Sequence, residues 1–339
     1  MLKPHSVTIK DIAKELKISV ATVSRALRNA YDVSPVTREQ VVSKATEMSY
    51  VPNYNAIGLV KKSSFNIGVV LPAVINYYFS TVISGIQQVA YENGYNIVLF
   101  VTNDSADREK DIVNAVSPGN IDGLLICVSS GSDQTEHFTR VMNKGVPIVF
   151  FDRVAPDIHT SKVMQDDFNG AYKAVTHLIK QGYKKIAHIT GPADLLLTEK
   201  RMSGYLAALK DHYYPVKQEW IIHSGFTREC GADDMRRLLA CRHKPDAIFA
   251  VNDRKAIGAM MTLKKAKIKS GKEIGVAGFT NDPVSEIISP SLTTIEEPGL
   301  EIGKKSCELL LKHIYKPHFI AEEITLPTKL IIRESTQKV

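Results

Sequence analysis

Short apolar segments alternate with longer amphipathic segments along most of this chain, from residue 65 onward. Residues 67–71 form an apolar run of strand length, and residues 81–91 then repeat apolar side chains with helical spacing. Strands that alternate with helices in this way build parallel sheets covered by helices. The remaining predicted strands are 96–101, 123–128, 147–151, 186–189, 220–223, 247–251 and 274–279. The pattern therefore predicts an α/β fold with two parallel sheets flanked by helices.

The alternation restarts after a crossing near Ser161, which predicts two lobes of similar construction. A short internal echo supports this interpretation. Ser84-Gly85-Ile86 in the first half resembles Ser203-Gly204-Tyr205 in the second, and each lies in the first helix after the opening strand of its half. Ligands of open sheets bind outside the carboxyl ends of the strands. We therefore expect a ligand between the lobes, where polar side chains follow the apolar strands.

The first fifty residues follow a different pattern, with short helical segments. Thr8 can cap a first helix and Ser19 a second, in which Val23, Ala26 and Leu27 face inward. The residues left facing outward are Val20, Ala21, Ser24, Arg25 and Arg28. Two short helices joined by a few residues form a helix-turn-helix, whose second helix enters the major groove of DNA. The alternative is an ordinary helical hairpin with a solvated basic face.

A third helix completes this N-terminal headpiece. Ser34 can cap it, with Pro35 in its first turn. Its predicted apolar face comprises Val41, Val42, Ala45 and Met48. The headpiece thus runs from about residue 8 to residue 48. A linker follows, in which Asn53 could cap a short helix that is only marginally stable in isolation.

The net charge of +7 is concentrated in the N-terminal region. Residues 1–62 contain ten Lys or Arg and five Asp or Glu, which gives +5, and the rest of the chain supplies +2. A basic small domain beside a nearly neutral large one suggests a polyanionic partner for the small domain. A basic surface that only promotes solubility is the alternative.

The sequence lacks the motifs of several function classes. Four cysteines lie far apart, without metal-ligand or disulfide-framework spacing: Cys127, Cys230, Cys241 and Cys307. The chain has no H-E-x-x-H, G-x-S-x-G or Walker A sequence, and no G-x-G-x-x-G after residues 67–71. We therefore predict neither an enzyme nor a bound metal or cofactor. No apolar run reaches about 18 residues, and the N-terminus has no apolar signal core, which predicts a cytoplasmic protein without a membrane partner.

Five segments near the N-terminus resemble the headpiece of the lactose-repressor (LacI/GalR) family. They are residues 8–13, 19–27, 33–34, 37–38 and 50–53, and the resemblance continues over nearly the whole chain. It implies a homodimeric transcription regulator, more specifically a repressor, that binds a palindromic double-stranded DNA operator. It also implies a core with the two-lobed layout of periplasmic binding proteins, and a small-molecule effector, a sugar or sugar derivative, in the cleft.

The resemblance implies which residues contact DNA. Val20 and Ala21 occupy the family's main specificity positions, where they could contact thymine methyl groups, and Arg25 is the candidate for a guanine contact or a phosphate clamp. Leu59 occupies the position of a leucine that wedges into the minor groove when the linker folds as a hinge helix. Many relatives carry a larger residue at the position of Gly58, and glycine lowers helix propensity. The alternative to a hinge helix is a flexible tether in which Leu59 has no such role. The candidate DNA-binding residues are Thr8, Ser19, Val20, Ala21, Thr22, Ser24, Arg25, Arg28, Ser34, Thr37, Tyr50, Asn53, Ala56 and Leu59.

Eight further residues match effector-pocket positions of the family. They are Tyr78, Phe79, Ser129, Asp152, Arg201, Phe226, Asn252 and Thr280. Tyr78 and Phe79 could instead be core residues or dimer contacts, and Asp152 and Asn252 could serve only as caps. Arg201 is suited to the bidentate capture of vicinal hydroxyls, a carboxylate or a phosphate.

One departure from the family bears on the class of effector. Many relatives carry Gly-Phe-Asp-Asp where this chain has Gly278-Phe279-Thr280-Asn281. The loss of two acids makes the predicted pocket around Arg201 more positive. A sugar acid or sugar phosphate is therefore favoured, beside a plain sugar.

The predicted domains are a helix-turn-helix headpiece at 1–50, a hinge helix or linker at 51–63, a first core lobe at 64–161 and 293–322, and a second core lobe at 162–292 and 323–339. Residues 290–295 resemble the strand that crosses back to the first lobe, where 301–314 forms an amphipathic helix. No heptad tail follows Arg333, so a tetramer held by a coiled coil is not expected. The rival functions are a solute-binding protein of the same lobed fold, and a sugar-binding or sugar-modifying α/β protein with an unrelated helical N-terminal domain.

Overall fold

The computed structural model divides the chain into two compact units, residues 1–62 and residues 63–339. It describes residues 7–50, 63–132, 134–316 and 318–338. The predicted hinge helix, with Asn53, Ala56, Gly58 and Leu59, lies outside these described residues.

Three helices form the described part of the first unit. They are α1 (Ile9–Leu16), α2 (Val20–Leu27) and α3 (Pro35–Glu47). Lys17 takes a left-handed conformation, with φ of 53°, and turns the chain from α1 toward α2. Ile12, Val23 and Val41, one from each helix, are fully buried against one another in a small core. Val42, predicted on the apolar face of α3, is 48 % exposed, so that face is narrower than the sequence suggests.

A six-stranded sheet forms the first lobe of the second unit. Its strands are β1 (Asn66–Leu71), β2 (Asn96–Val101), β3 (Gly123–Ile126), β4 (Ile148–Phe151), β5 (Lys162–Gln165) and β11 (Glu323–Leu326). Their order is β11-β5-β4-β3-β1-β2, and every neighbouring pair is parallel. The helices of this lobe are α4 (Tyr77–Glu92), α5 (Ala106–Ala115), α6 (Glu136–Asn143) and α12 (Gly299–Tyr315).

Both faces of this sheet are covered, because neighbouring residues of β1 point to opposite sides. Val69 packs with Val82 of α4 on the face that α4 and α12 cover. Val70 packs with Val113 of α5 and Phe138 of α6 on the other face. The inner strands β3 and β4 are buried along their whole length, which explains why their sequences read as continuous apolar runs.

The second lobe repeats this plan with fewer strands. Its sheet contains β6 (Ile186–Thr190), β7 (Ile221–His223), β8 (Ala247–Ala250) and β9 (Gly275–Ala277), in the order β7-β6-β8-β9 and all parallel. Its helices are α7 (Asp167–Lys180), α8 (Leu196–Asp211), α9 (Arg228–Ala240), α10 (Asp253–Lys265) and the short α11 (Val284–Ile287). An antiparallel ribbon of β10 (Thr294–Glu296) and β12 (Lys329–Ile331) adjoins this lobe. The two parallel sheets flanked by helices confirm the predicted fold class.

Three segments belong to the opposite lobe from the one that the sequence predicts. β5 and β11, both predicted in the second lobe, pair with each other in the first sheet. The polar residues at both ends of β5 hide this strand in the sequence. Lys162 is buried with its charge paired to Glu323 at 2.8 Å, and it also donates to the carbonyl of Pro156 at 3.2 Å. Residues 293–296, predicted in the first lobe, instead bridge to the second lobe at Ala277 and Thr280.

These pairings define where the described chain crosses between the lobes. The crossings are at Asp166, between β10 and α12, and between β11 and β12. Asp167 and Glu297 therefore lie at or beside two of them. Among the described residues, no helix combines the length and the apolar character that crossing a membrane requires.

Candidate nucleic-acid interface and ligand cleft

Helix α2 presents a polar and basic face to solvent. Val20, Ala21, Arg25 and Arg28 are exposed and Ser24 is half-buried, whereas Val23 and Ala26 on the other side of the helix are buried. Small apolar groups and guanidinium groups on one exposed helix face suit thymine methyl groups, guanine edges and phosphates. The structure therefore leaves the predicted reading face free of core contacts.

Hydroxyl side chains organise the helix starts of the headpiece. Ser19 Oγ accepts from the amide of Thr22 at 3.0 Å, and Ser34 Oγ accepts from the amide of Thr37 at 3.1 Å. Thr8 donates through its amide and its hydroxyl to Asp11 at 2.8 and 2.7 Å. These contacts set the helix N-termini, where backbone N–H groups and the helix dipole favour phosphate. The predicted phosphate contacts thus coincide with the residues that start the helices.

The three headpiece arginines have different partners. Arg25 Nη1 lies 2.9 Å from Asp32 Oδ2. Arg28 folds back on its own helix and donates to the carbonyl and hydroxyl oxygens of Ser24 at 3.0 and 2.9 Å. Arg38 donates to the carbonyl of Ala30 at 2.9 Å and so supports the turn before α3. Tyr50, the last predicted contact within the described headpiece, is half-buried against its core.

A small cavity of about 70 Å³ lies between the lobes, at the carboxyl ends of strands from both sheets. Its lining residues are Asn76, Tyr78, Phe79, Asp152, Arg153, Leu197, Arg201, Phe226, Asn252, Arg254, Thr280 and Glu297. Every effector-pocket residue predicted from the sequence except Ser129 is among them. The structure thus brings together side chains that the resemblance selected and that lie far apart in the sequence.

An aromatic wall and a carboxylate form the first-lobe side of the cavity. The rings of Tyr78 and Phe79 meet edge to face with 5.4 Å between their centroids, and both are buried in the first-lobe core. Tyr78 donates to Gln165 Oε1 at 3.3 Å, and Gln165 Nε2 donates to Asp152 Oδ1 at 2.8 Å. Burial, followed by the negative charge of Asp152, raises the pKa of Tyr78. Tyr78 therefore stays protonated, and it is both a core residue and a lining residue.

Arg201 occupies the second-lobe side, and its hydrogen-bonding capacity is largely used inside the protein. Nε lies 2.7 Å from Asp167 Oδ1, Nη2 lies 2.6 Å from Glu297 Oε1, and Nη1 donates to the carbonyl of Val251 at 2.5 Å. The guanidinium also stacks 3.6 Å from the ring centroid of Phe279. Burial acts to lower the pKa of Arg201, but the Asp167 and Glu297 carboxylates outweigh it and raise that pKa above its ordinary value.

Arg201 is therefore paired inside the protein, and the positive charge expected of the pocket does not come from Arg201. Thr280 and Asn281 stand where many relatives have two acids. Asp167 and Glu297, which lie in the crossing segments, instead form ion pairs with Arg201 and balance its charge. Burial raises the pKa of Asp167, and it raises the pKa of Glu297 to about 7. Nothing in the sequence pattern connects these carboxylates with Arg201, because they lie in segments assigned to other roles.

Ser129 is the predicted residue that the structure does not bring to this cavity. It is fully buried, its hydroxyl lies 2.8 Å from that of Thr102, and its amide donates to Glu109 Oε2 at 2.6 Å. Glu109 is itself fully buried and needs donors, which explains why Ser129 turns toward it. Ser129 instead borders a neighbouring cavity of about 250 Å³ that also touches Arg153, Asp194 and Glu199.

The remaining predicted residues have structural roles as well. Asn252 caps α10 by accepting from the amide of Lys255 at 2.8 Å, and its amide group donates to the carbonyl of Phe226 at 3.1 Å. Thr280 has a φ of 137°, which β-branched residues rarely adopt. Such strained backbone is concentrated at ligand sites. The side-chain oxygen of Asn281 accepts a hydrogen bond from Arg333 at 2.9 Å.

Five other lining side chains were not among the predicted effector-pocket residues: Asn76, Arg153, Leu197, Arg254 and Glu297. Arg153 and Arg254 each follow a strand end closely, so their positions carried a usable signal. Arg254 is exposed and has no hydrogen-bond or ion-pair partner among the described residues. Glu297 directly follows residues 293–296, which the sequence assigned to the other lobe, so nothing in the sequence indicated that Glu297 lines the cavity.

The lobes contact each other across the cleft. The guanidinium of Arg153 lies 4.7 Å above the ring of Phe226, and Arg153 also pairs with Asp104 at 2.6 Å. The amide of Gly131 donates to Asp194 Oδ2 at 2.5 Å. Ligand pockets usually enclose about 300 Å³ or more, so the 70 Å³ cavity is smaller than a typical small-molecule site. Among the described residues, no three His, Cys, Asp or Glu side chains form a group able to hold a metal ion.

Comparisons with known proteins agree with this architecture. Residues 8–53 match the family model for bacterial regulatory proteins of the lacI family, and residues 64–334 match that for periplasmic binding proteins and the sugar binding domain of the LacI family. The transcriptional repressor CytR of Escherichia coli strain K12 is 32 % identical over 331 residues, which cover 97 % of this chain and 96 % of CytR.

Solved structures are similar over almost the same length. The lac repressor dimer bound to operator and the anti-inducer ONPF has a TM-score of 0.87 and 25 % identity, covering 98 % of this chain and 99 % of that chain. The complex of the regulator CelR with cellobiose has a TM-score of 0.72 and 25 % identity, covering 97 % and 99 %. These relatives are regulators and not enzymes, and the match at residues 8–53 excludes an unrelated helical N-terminal domain. The chain is a member of the LacI family, a transcriptional repressor with a helix-turn-helix DNA-binding domain and a sugar-binding domain of the periplasmic-binding-protein type.

Proposed function

We propose that this repressor binds a near-palindromic operator as a homodimer, and that a small polar molecule in the cleft controls binding. The observation that carries the proposal is the small cavity between lobes that are joined by crossing segments. We expect a ligand larger than this cavity of about 70 Å³ to change the separation of the lobes. A ligand shifts such an equilibrium by its difference in affinity for the two states.

The chemistry of the cavity favours a sugar or sugar derivative. Asp152 and Thr280 offer oxygen acceptors, and Tyr78, Phe79 and Phe226 offer aromatic faces for the apolar side of a sugar ring. Arg201 is already neutralised, so it does not select an anion. Arg254 is the unpaired cation at the cavity, and an acidic group of a sugar acid or sugar phosphate would meet Arg254. The relative CelR is solved with cellobiose, which supports the sugar class.

An apolar groove on the second lobe supports a homodimer. It is lined by Ile257, Met260, Met261, Ile288 and Pro290 beneath a rim of lysines. Met261 is 44 % exposed, and the adjacent Ile287 is 81 % exposed. Exposed apolar patches with a polar rim mark protein interfaces. A second copy would cover this face, and two headpieces then explain a two-fold symmetric operator.

The DNA-binding proposal is tested with the full chain and a library of randomised inverted repeats. The selected duplex should bind more tightly than a random duplex in moderate salt, and both affinities should fall as salt rises. Melting temperatures measured with individual sugars, sugar acids and sugar phosphates identify the effector, since a specific ligand raises the melting temperature. The identified ligand should then change the affinity for the selected duplex. The absence of any sequence preference, with or without these ligands, would contradict the proposal.

The oligomeric state is tested separately by analytical ultracentrifugation. Met261→Glu combined with Ile287→Glu places charge on the groove and should convert dimers to monomers. Tyr213→Glu is the matched control, because Tyr213 is 96 % exposed elsewhere on the chain. A doubly substituted protein that stays dimeric would show that this face is not the interface.

A further inference from the structure

Asp32 holds the side chain that is the leading candidate for base recognition. It lies in the turn between α2 and α3, and its Oδ2 is 2.9 Å from Nη1 of Arg25. The two side chains are 39 % and 49 % exposed. Exposed ion pairs add little to folding stability, and the headpiece core is built from other residues such as Ile12, Val23 and Val41. The pair is therefore not needed to hold the headpiece together.

Arg25 differs from Arg28 in what orients it. Arg28 is tied to Ser24 of its own helix through both Nε and Nη2. Arg25 has its orientation set by a residue outside α2, through one terminal nitrogen. Its other N–H groups have no partner within the described headpiece. A guanidinium is planar, and recognition of guanine uses two of its N–H groups on one edge. A carboxylate on one nitrogen restricts the rotation of that plane while it leaves donors free.

The negative charge of Asp32 has a second consequence for DNA binding. Phosphates of any sequence repel a carboxylate on the reading side of the headpiece, so the charge weakens binding that depends only on the backbone. Orientation of Arg25 acts only where the matching base is present. The repulsion lowers the affinity for every duplex, whereas the orientation of Arg25 raises the affinity only for the specific site.

We propose that Asp32 is a positioning residue for sequence recognition, which orients Arg25 toward a base edge and suppresses binding to DNA of other sequence. This inference rests on the proposed function, because it requires that α2 reads a duplex. It assigns discrimination between sequences to a residue outside the recognition helix.

The test compares the full chain with its Asp32→Asn, Asp32→Ala and Arg25→Ala variants on two duplexes. One is the duplex that the wild-type chain selects from the randomised inverted repeats, and the other has a random sequence. Asp32→Ala should reduce the ratio of the two affinities by roughly tenfold, the scale of one base contact, while its affinity for the random duplex stays equal or rises. Asp32→Asn keeps an acceptor for Arg25 and should lie between Asp32→Ala and the wild type.

Glu47→Gln is the matched control, because Glu47 is also exposed and paired, with Lys44 at 2.6 Å. It should leave the affinity ratio unchanged. Single base-pair substitutions in the selected duplex give a further readout: Asp32→Ala should lose discrimination at the same base pair as Arg25→Ala and at no other. Melting temperatures of all variants identify any change that comes from loss of folding.

Three results would overturn the inference. One is an unchanged affinity ratio in Asp32→Ala. Another is an equal loss of affinity for both duplexes, and the third is a loss of affinity for the selected duplex that Asp32→Ala still causes when Arg25 is also replaced by Ala. A wild-type chain that selects no duplex contradicts the proposed function itself, and the inference falls with it, so the two failures are distinguishable.

Discussion

Arg201 Nη2 lies 2.6 Å from Glu297 Oε1, and this ion pair joins helix α8 to the segment in which the chain crosses from the second lobe to the first. The same guanidinium lies 2.7 Å from Asp167, which directly follows the crossing at Asp166. One side chain therefore holds two crossing segments together. Arg201 therefore braces the two segments that join the lobes, as well as lining the cavity.

Replacing Arg201 by Met should lower the free energy of unfolding of the core by about 3–5 kcal/mol. The substitution leaves the buried carboxylates of Asp167 and Glu297 without their cation, and an unpaired buried charge is costly. Urea unfolding at neutral pH, followed by circular dichroism, measures the effect. The triple variant Arg201→Met, Asp167→Asn, Glu297→Gln removes the charges together and should recover much of the loss. A single variant within about 0.5 kcal/mol of the wild type would contradict the brace.

Asp253 should make the core less stable as the pH rises. Its carboxylate is buried, accepts from Thr294 Oγ1 at 2.5 Å and from the amide of Asp282 at 2.8 Å, and burial raises its pKa to about 7. The unfolded chain releases this proton near pH 3.9. The stability that the protonated carboxyl contributes is therefore complete below about pH 4 and is lost as the pH rises to about 7.

Asp253→Asn isolates this contribution. Between pH 4.5 and pH 7.5, the free energy of unfolding of the wild type should fall by a few kcal/mol relative to the variant, since one pKa unit corresponds to about 1.4 kcal/mol. His188, whose pKa burial lowers to about 3, acts in the opposite direction but is present in both proteins, so its effect cancels in the difference. Parallel stability curves for the two proteins would show that Asp253 ionises normally.

The two similar segments, Ser84-Gly85-Ile86 and Ser203-Gly204-Tyr205, mark places where two helices pack closely. A Cβ atom on Gly85 of α4 would lie 2.2 Å from the carbonyl oxygen of Leu300 in α12, and one on Gly204 of α8 would lie 2.3 Å from that of Phe168 in α7. Each lobe thus brings two helices together at a glycine. Gly204→Ala should cost about 1–3 kcal/mol of stability, as overpacked sites do. Ser203→Ala, exposed on the same helix, should be neutral in the same urea titration; a similar loss in both would assign the effect to something other than the helix crossing.

The sequence predicted the parts of this molecule that depend on local pattern. Buried parallel strands such as β3 and β4 read directly as apolar runs, and the resemblance located most of the cavity lining. The failures involve long-range partners. The sequence did not indicate β5 as a strand, because the burial of Lys162 depends on its distant partner Glu323. It also did not indicate the two partners of Arg201, because Asp167 and Glu297 reach Arg201 only through the folded crossings. Charge balance in a buried site depends on such partners, which no local pattern contains.

Asp194 should keep the cleft closed, because its Oδ2 accepts from the amide of Gly131 at 2.5 Å across the lobes. Hydrogen bonds to charged groups contribute about 1.5–3 kcal/mol, so Asp194→Ala should speed amide hydrogen exchange in peptides that contain Gly131 by roughly tenfold or more. Asp157→Ala is the matched control, since Asp157 borders the same neighbouring cavity and makes no hydrogen bond across the cleft among the described residues. If both variants exchange at the wild-type rate, other contacts hold the lobes together, and the stacking of Arg153 on Phe226 is the first to examine.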